Sequence, residues 1–281
     1  MKVGMNLLLW TTHVTEEHYP LFAKLKATGF SGVEIPLFEG DEKHYAKVAA
    51  ELKNQGLAAT AVTVVTAETN PVSPDAKVRQ AAKDRLKWAI GNTQALGANL
   101  LCGPLHSALG VFSGAGPTSE EKARCAEVMR AAANEADTAN VRLAVEYLNR
   151  FECYFCTTAE QLRELVKSVD HPHCLPMYDT FHANIEEKAI EAAIASLGDD
   201  LVHVHISEND RGTPGSGHAH WAQTFKALKA MNYSGWLTIE AFGRALPALA
   251  AATKVWRDLF PNPEEVYQKG FVFINEMWAR A

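Results

Sequence analysis

The sequence lacks a long apolar run, an excess of basic residues and any basic cluster. No apolar stretch approaches the roughly 18 residues of a membrane span, and the short run near the start is too brief for a signal peptide. The 27 Lys and Arg residues are outnumbered by 33 Asp and Glu residues, for a net charge of -6. Because phosphate contacts need clustered cations, this balance argues against a nucleic-acid-binding protein.

Cysteines are few and odd in number. The five thiols are scattered through 281 residues, and a chain of this length can bury a core without disulfide bonds. Cys153 and Cys156 form one CxxC pair, which is a weak metal or redox signal without a second pair, so packing beside a pocket is the simpler interpretation. These features, together with the missing membrane and signal segments, predict a protein of the reducing cytoplasm.

Short β-rich apolar runs alternate with longer amphipathic stretches, and the alternation repeats eight times. The predicted strands are 3–9, 32–38, 58–65, 99–106, 142–148, 174–181, 201–208 and 235–242. The predicted helices are 15–28, 42–55, 76–96, 119–139, 159–168, 186–197, 219–231 and 246–257. Residues 261–281 form one further apolar helical segment, either a cap on the fold or part of a subunit interface.

Strands separated by helices run parallel, and eight βα units close most economically into a barrel. The sequence therefore predicts one (β/α)8 TIM-barrel domain over residues 1–281, with an extra C-terminal helix. An open doubly wound sheet is the alternative. The chain has no glycine-rich phosphate loop after its first strand, which disfavours that alternative.

Side-chain parity gathers polar residues at one end of this barrel. Alternate strand residues face the barrel interior, which places Glu146, Asp179, His205 and Glu240 inside, at the carboxyl ends of strands five to eight. Active sites of barrel enzymes lie on that face. Three carboxylates directed at one point repel one another unless a cation lies between them. One nitrogen donor and three oxygen donors suit Mn²⁺, Mg²⁺ or Co²⁺, and Zn²⁺ is a further possibility. The alternative for each residue is a hydrogen-bonded polar group that fills the top layer of the barrel.

Four segments carry a family resemblance, and they cover the same strand ends. VEYLNRFE (145–152), YDTFHANIEE (178–187), HVHISENDRGTPGSG (203–217) and TIEAF (238–242) resemble the D-tagatose 3-epimerase and D-psicose 3-epimerase family of xylose isomerase-like barrels. The resemblance implies one divalent metal, Mn²⁺ first, and a homodimer or homotetramer. It also implies metal ligation by Glu146, Asp179, His205 and Glu240, with Glu146 and Glu240 as the acid/base pair.

The same resemblance implies substrate contacts. The matching positions are Glu152, His182, Arg211 and Glu34, although Glu34 could equally be a polar filler of the second strand. The loop after strand four, GPLHSALGVFSGAGP, departs from the family and brings His106 near the site. His218 and His220 match no family ligand, and a solvated loop is their simpler interpretation.

The expected function is a metal-dependent epimerase that inverts C3 of a free ketohexose or ketopentose, such as D-tagatose, D-fructose, D-psicose or L-ribulose, through a metal-bound enediolate. An aldose-ketose or hydroxypyruvate-type isomerase uses the same chemistry, and a dehydratase of cyclic polyols shares the barrel. A DNA-repair endonuclease of this barrel would use an Asp-Thr-x-His segment like that at 179–182, which the acidic charge opposes. A non-catalytic sugar-binding protein would need no paired glutamates.

Overall fold

Eight parallel strands form a closed barrel in chain order in the computed structural model, which describes residues 1–281. The strands are β1 Lys2–Asn6, β2 Gly32–Pro36, β3 Ala58–Val62, β4 Leu100–Gly103, β5 Arg142–Val145, β6 Cys174–Asp179, β7 His203–Ile206 and β8 Trp236–Ile239. Val3 of β1 pairs with Leu237 of β8, which closes the barrel. The predicted barrel is confirmed, and the open doubly wound sheet is wrong.

Helices follow the strands around the outside of the barrel. They are α1 Tyr19–Thr28, α2 Glu42–Gln55, α3 Ala76–Ala95, α4 Ser119–Thr138, α5 Ala159–Val169, α6 Thr180–Glu186, α7 Ile190–Leu197, α8 Trp221–Ala230, α9 Pro247–Thr253 and α10 Pro263–Arg280. None of them is both long and apolar enough to cross a membrane. The last helix packs against α1, α8, β1 and β8, so it fills the gap in the outer ring that the seven-residue α9 leaves.

The strands end earlier than the sequence predicts. The fourth was expected over 99–106 but is hydrogen-bonded as a strand only over Leu100–Gly103. The first was expected over 3–9, and its last three residues instead form a 3-10 helix, Leu7–Leu9. In both cases apolar residues continue beyond the last hydrogen bond between strands. They are buried there as part of the βα loops. The periodicity therefore marks burial at these ends rather than strand pairing.

One helix was not predicted. Helix α6 starts immediately after β6, and the Asp179 carboxylate caps it by accepting hydrogen bonds from the backbone N–H groups of Phe181 and His182. The helix expected over 186–197 is the shorter α7. The Asp179 side chain at the end of β6 thus also caps the next helix, and this capping fixes the orientation of the Asp179 carboxylate.

The predicted strand parity is confirmed by the packing. Val204, Ile206, Leu237 and Ile239 belong to the large apolar core between strands and helices. A smaller apolar cluster fills the barrel interior and includes Val62, Leu100, Cys102, Ala144 and Met177. Polar groups share this interior with the small cluster, among them His203, Glu34 and Thr238, each fully buried. Apolar and polar side chains therefore meet inside the barrel, where Met177 pairs with His203 and Cys102 Sγ lies 3.2 Å from Glu34 Oε2.

Candidate active site

Four side chains from neighbouring strand ends converge on one point. Asp179 is the last residue of β6 and pairs with His205 of β7, while Glu146 and Glu240 directly follow β5 and β8. The His205 Nδ1 atom lies 3.4 Å from Glu240 Oε1, 3.6 Å from Asp179 Oδ2 and 3.7 Å from Glu146 Oε1. One ligand atom from each residue lies within 4.8 Å of all the others. The structure therefore brings together the four residues predicted as metal ligands.

This cluster fits a divalent cation. Glu146 Oε1 and His205 Nδ1 are buried polar atoms without a hydrogen-bond partner, and buried polar atoms are rarely left in that state. Both face the other carboxylates of the cluster, where a cation would satisfy them together. One imidazole nitrogen and three carboxylate oxygens form a donor set typical of Mn²⁺, Mg²⁺ or Co²⁺ rather than of a thiolate-bound metal.

The electrostatics of the cluster point the same way. Burial raises the pKa of the Glu146 carboxyl to about 8, and the neighbouring Glu240 and Asp179 carboxylates act in the same direction. Although burial opposes it, Glu240 and Glu34 raise the pKa of the His205 imidazole well above its usual value. Positive charge is stabilised at this point and further negative charge is not, as a cation-binding site requires.

Arg211 bridges two members of the cluster. Its Nη1 atom donates to Glu240 Oε2 at 2.6 Å and to Asp179 Oδ2 at 3.2 Å. The guanidinium carbon lies 3.9 Å from the ring centroid of Phe181 and 5.0 Å from that of Phe242. Burial opposes a charged side chain here, but Asp179 and Glu240 raise the Arg211 pKa above its usual value. The guanidinium is thus held as a buried cation beside the carboxylates.

The loop that carries Arg211 is organised by Glu208. The fully buried Glu208 carboxylate accepts hydrogen bonds from the backbone N–H groups of Asn209, Gly215 and Ala219 at 2.8 to 3.1 Å. Its backbone carbonyl accepts from the Arg211 N–H at 3.0 Å. Arg211 itself has a φ of 67°, which is uncommon for a residue with a side chain. The loop therefore holds Arg211 in a conformation that it would seldom adopt alone.

Replacement of Glu208 by alanine is expected to destabilise the protein by about 3 kcal/mol, because three backbone N–H groups of the loop, one of them buried, lose a charged acceptor. The KM for substrate should also rise as Arg211 loses its support. Urea unfolding and steady-state kinetics measure the two effects. Glu264→Ala is the matched control, since Glu264 lies in an exposed ion pair with Lys24, a contact worth at most about 1 kcal/mol. A Glu208 variant as stable as this control would contradict the account of the loop.

His182 and Glu152 lie beside the cluster. His182 Nε2 is 3.1 Å from Arg211 Nη2 and 3.7 Å from Glu146 Oε1. Its Nδ1 accepts a hydrogen bond from the Asn149 backbone N–H at 3.0 Å, and burial lowers its pKa to about 3. Glu152 Oε1 accepts from Asn149 Nδ2 at 2.9 Å. A neutral imidazole, a carboxylate and a guanidinium are therefore grouped beside the four predicted ligands, and side chains of these types can exchange hydrogen bonds with hydroxyl groups.

An open cleft reaches these groups from the surface. It has a volume of about 590 Å³, and its lining includes Asn149, Glu152, Phe181, Arg211 and Trp256. This volume is within the range of small-molecule sites. Substrate access is thus provided on the side of the cluster where Glu152 and Arg211 lie.

The two remaining predicted substrate contacts have other neighbours. Glu34 is fully buried, and its Oε1 lies 2.8 Å from His205 Nε2, on the far side of that ring from the carboxylate cluster. His106 is also fully buried; its Nδ1 lies 2.8 Å from Ser107 Oγ, and its Nε2 has no hydrogen-bond partner. Burial lowers the His106 pKa to about 4. Both side chains lie beneath the protein surface. For Glu34, the geometry favours an interaction with the His205 imidazole.

Sequence reasoning missed three residues that hold the site. Asn6 donates to both Glu34 and Glu240, Ser207 donates to Asp179 at 2.9 Å, and Glu208 organises the Arg211 loop. Asn6 is the last residue of β1, so the parity that found the four ligands applied to the first strand would have found it. Ser207 shares the parity of His205 within the predicted seventh strand, 201–208, so the same rule would have found it. Glu208 has the opposite parity and carries no such signal.

The remaining histidines and cysteines are not part of the cluster. His218 and His220 are exposed loop residues, as expected from the simpler interpretation. All five cysteines are free and buried. Cys153 Sγ lies 3.4 Å from Ser107 Oγ. The CxxC pair therefore forms no disulfide and packs in the interior.

Comparison with known proteins places this geometry in a family. The sequence profile of the xylose isomerase-like TIM barrel family matches residues 22–277. D-psicose 3-epimerase of Agrobacterium fabrum is 31% identical over 263 residues, which cover 92% of this chain and 91% of that protein. L-ribulose 3-epimerase of Methylomonas sp. is 30% identical over 253 residues, or 89% of this chain and 88% of that protein.

Solved structures agree over the whole chain. The crystal structure of D-psicose 3-epimerase with D-tagatose from Clostridium cellulolyticum H10 matches with a TM-score of 0.91 at 29% identity, covering 99% of each chain. A structure of L-ribulose 3-epimerase matches with a TM-score of 0.94 at 25% identity, covering 99% of this chain and 95% of that one. Profile, sequence and structure coincide, and the chain belongs to the xylose isomerase-like TIM barrel family, among the ketose 3-epimerases.

Proposed function

We propose that this protein is a metal-dependent epimerase that inverts C3 of a free ketose. The observation that carries the proposal is the convergence of Glu146 and Glu240 on His205 Nδ1 from β5 and β8, two strands separated by β6 and β7. Relatives that align over nearly the whole chain are named for epimerisation at C3 of D-psicose and L-ribulose. Ketohexoses and ketopentoses of that kind, including D-tagatose and D-fructose, are the proposed substrates.

Glu146, Asp179, His205 and Glu240 would hold the metal, and Mn²⁺ is the proposed ion, with Mg²⁺ or Co²⁺ as substitutes. The bound metal would act as a Lewis acid that polarises the ketose carbonyl and stabilises negative charge on its oxygen. Asp179 is suited to hold the metal without taking part in proton transfer. One of its oxygens caps α6 and the other accepts from Ser207 and Arg211, so its carboxylate is already immobilised.

Glu146 and Glu240 are the proposed acid/base pair. Their carboxylates approach the reacting carbon from different strands, so one can remove the C3 proton on one face while the other returns a proton on the opposite face. The C3 configuration is inverted by this exchange, and the two roles are reversed in the reverse reaction. The proton that is returned comes from the second carboxylic acid and not from the substrate, so exchange of that acid with solvent between turnovers leads to deuterium at C3 in deuterated water.

Arg211, His182 and Glu152 are the proposed binding groups for the sugar hydroxyls. Arg211 supplies N–H donors, and Glu152 supplies carboxylate acceptors at the cleft. Together they would hold the ketose with C3 between the two glutamates, which is the positioning that proton transfer needs. His106 remains a proposed contact of the variable loop after β4, because its Nε2 is buried without a protein partner.

The test is a panel of ketohexoses and ketopentoses incubated with the Mn²⁺-loaded protein in deuterated water and followed by proton NMR. The expected result is deuterium at C3 together with the C3 epimer. Migration of the carbonyl to C1 would instead identify an aldose-ketose isomerase. Binding without exchange would identify a sugar-binding protein, and a mobility shift of abasic DNA would identify a repair enzyme.

A homodimer or homotetramer is proposed as the assembly, on the strength of the family resemblance. Light scattering coupled to size-exclusion chromatography measures it directly. A mass close to the 30.8 kDa of one chain would contradict this proposal.

A further inference from the structure

A buried polar layer lies on the side of His205 that faces away from the carboxylate cluster, and its centre is Glu34 of β2. Glu34 Oε1 lies 2.8 Å from His205 Nε2 and accepts from Asn6 Nδ2 at 3.0 Å. Glu34 Oε2 accepts from Thr60 Oγ1 at 2.9 Å and from Cys102 Sγ at 3.2 Å. Every atom of this layer is out of contact with solvent, because the residues are buried.

The contact with Glu34 decides which nitrogen of His205 carries a proton. A carboxylate accepts hydrogen bonds, so the short contact at Nε2 requires the proton to be on that nitrogen. The Nδ1 atom then has a free lone pair directed at Glu146, Asp179 and Glu240, 3.4 to 3.7 Å away. An imidazole can ligate a metal only through such a lone pair.

Asn6 extends the same layer to a second ligand. Its Nδ2 group donates to Glu34 Oε1 at 3.0 Å and to Glu240 Oε1 at 3.1 Å. Its Oδ1 accepts from the Leu8 backbone N–H at 2.8 Å, which fixes the orientation of the amide. The Asn6 side-chain amide thus links Glu34 to the carboxylate of Glu240, which is proposed as an acid/base group.

We propose that Glu34 is a positioning residue: it holds the His205 imidazole with Nδ1 toward the metal and, through Asn6, holds the Glu240 carboxylate. The inference rests on the proposed metal-dependent function and deepens it, because it assigns an orienting role to a fully buried residue outside the carboxylate cluster. Carboxylates that accept from metal-bound histidines typically raise metal affinity by about 10- to 100-fold.

A competing interpretation is a second metal bound in the layer itself. Donor atoms of Glu34, Cys102, His203 and His205 also lie within 4.8 Å of one another. A cation there would bind His205 Nε2 while the proposed metal binds Nδ1, and one imidazole can bind two metals only by losing its last N–H proton. The short contact of Nε2 with the Glu34 carboxylate, at 2.8 Å, stabilises that proton instead, so a single metal is expected.

Glu34→Gln tests the proposal, because glutamine retains the size of the side chain but can either accept or donate toward His205. The Mn²⁺ dissociation constant, measured by titration calorimetry, is expected to rise by about 10- to 100-fold. In ¹⁵N-labelled protein freed of metal, at a pH where the imidazole is neutral, His205 should change from a single Nε2–H tautomer to a mixture. A purely structural role would lower the unfolding midpoint without moving the tautomer.

Cys174→Ala is the matched control, because it removes a buried thiol of β6 that lies in the large apolar core, outside this layer. Its affinity and metal count should equal those of the wild type. Unchanged affinity and tautomer in Glu34→Gln would overturn the inference alone. Two metal equivalents in the wild type, reduced to one in Cys102→Ala, would overturn it in favour of the second site. A wild-type protein that binds no Mn²⁺ would overturn both the inference and the proposed metal-dependent function.

Discussion

Replacing Glu240 by glutamine is expected to lower C3 epimerisation by about 10²- to 10⁴-fold, the usual contribution of a positioned general acid or base. The same change at Glu146 should have a similar effect. Glutamine retains an oxygen that can face the metal, but its amide cannot take up a proton at neutral pH. The reaction should therefore fail at proton transfer, while the fold and the sugar site persist.

The two-base arrangement makes a sharper prediction for the same variants. Each variant retains one base, so one epimer of the ketose should still exchange its C3 proton with deuterated water without being inverted. Opposite epimers should be affected in Glu146→Gln and Glu240→Gln, because the carboxylates act on opposite faces. Proton NMR of single epimers with each variant, at saturating Mn²⁺, resolves the two cases.

The control for these variants is Glu264→Gln, which neutralises an exposed glutamate of the C-terminal helix. It should have wild-type turnover. Metal content should be measured in each variant, because Glu146 and Glu240 are also proposed ligands. Near-normal epimerisation by the Glu240 variant with metal bound would refute the two-base scheme.

Removal of the metal is expected to abolish epimerisation and to destabilise the fold. The cluster buries three carboxylates around one imidazole. Without a cation their mutual repulsion is offset only in part, by Arg211 and by hydrogen bonds from Asn6 and Ser207. A ligand present at 100 times its Kd stabilises the native state by about 2.7 kcal/mol. For a protein of this size, a change of that order lowers the thermal midpoint by several degrees.

Dialysis against a chelator, followed by thermal unfolding and the ketose assay, measures both effects. Readdition of Mn²⁺ should restore the activity and the midpoint together. The matched control is His205→Asn, whose midpoint should respond little to Mn²⁺ because the nitrogen ligand is lost. Full turnover in the chelated wild-type protein would contradict the role assigned to the cluster.

Much of this organisation is visible in the sequence because it depends on short-range patterns. The period of two along strands and the repeated strand-helix alternation predict a barrel, and the same parity places Glu146, Asp179, His205 and Glu240 inside. The Gly residues after α1 and α2 have the left-handed backbone expected at helix ends. These features are local, so no knowledge of distant contacts is required to find them.

The support of the site depends on contacts between residues far apart in the chain. Glu34 and His205 are separated by 171 positions, and Asn6 and Glu240 by 234. Parity shows that such side chains point inward, but not which of them meet, because that depends on the tilt and register of the closed barrel. For this reason the sequence left Glu34 as either a substrate contact or a polar filler of the second strand, and only the structure shows its contact with His205 Nε2.

The sequence by itself therefore determined the barrel and the identity of the four convergent side chains, since both follow from periodicity and strand order. Only the tertiary structure decided their distances, the position of Arg211 between Asp179 and Glu240, and the orientation of His205. The orientation of His205 and the support of Glu240 depend on closure between β1 and β8, which brings Glu34 and Asn6 into contact with them. The physical reason is that hydrogen bonds act over about 3 Å, while sequence patterns specify only the direction in which a side chain points.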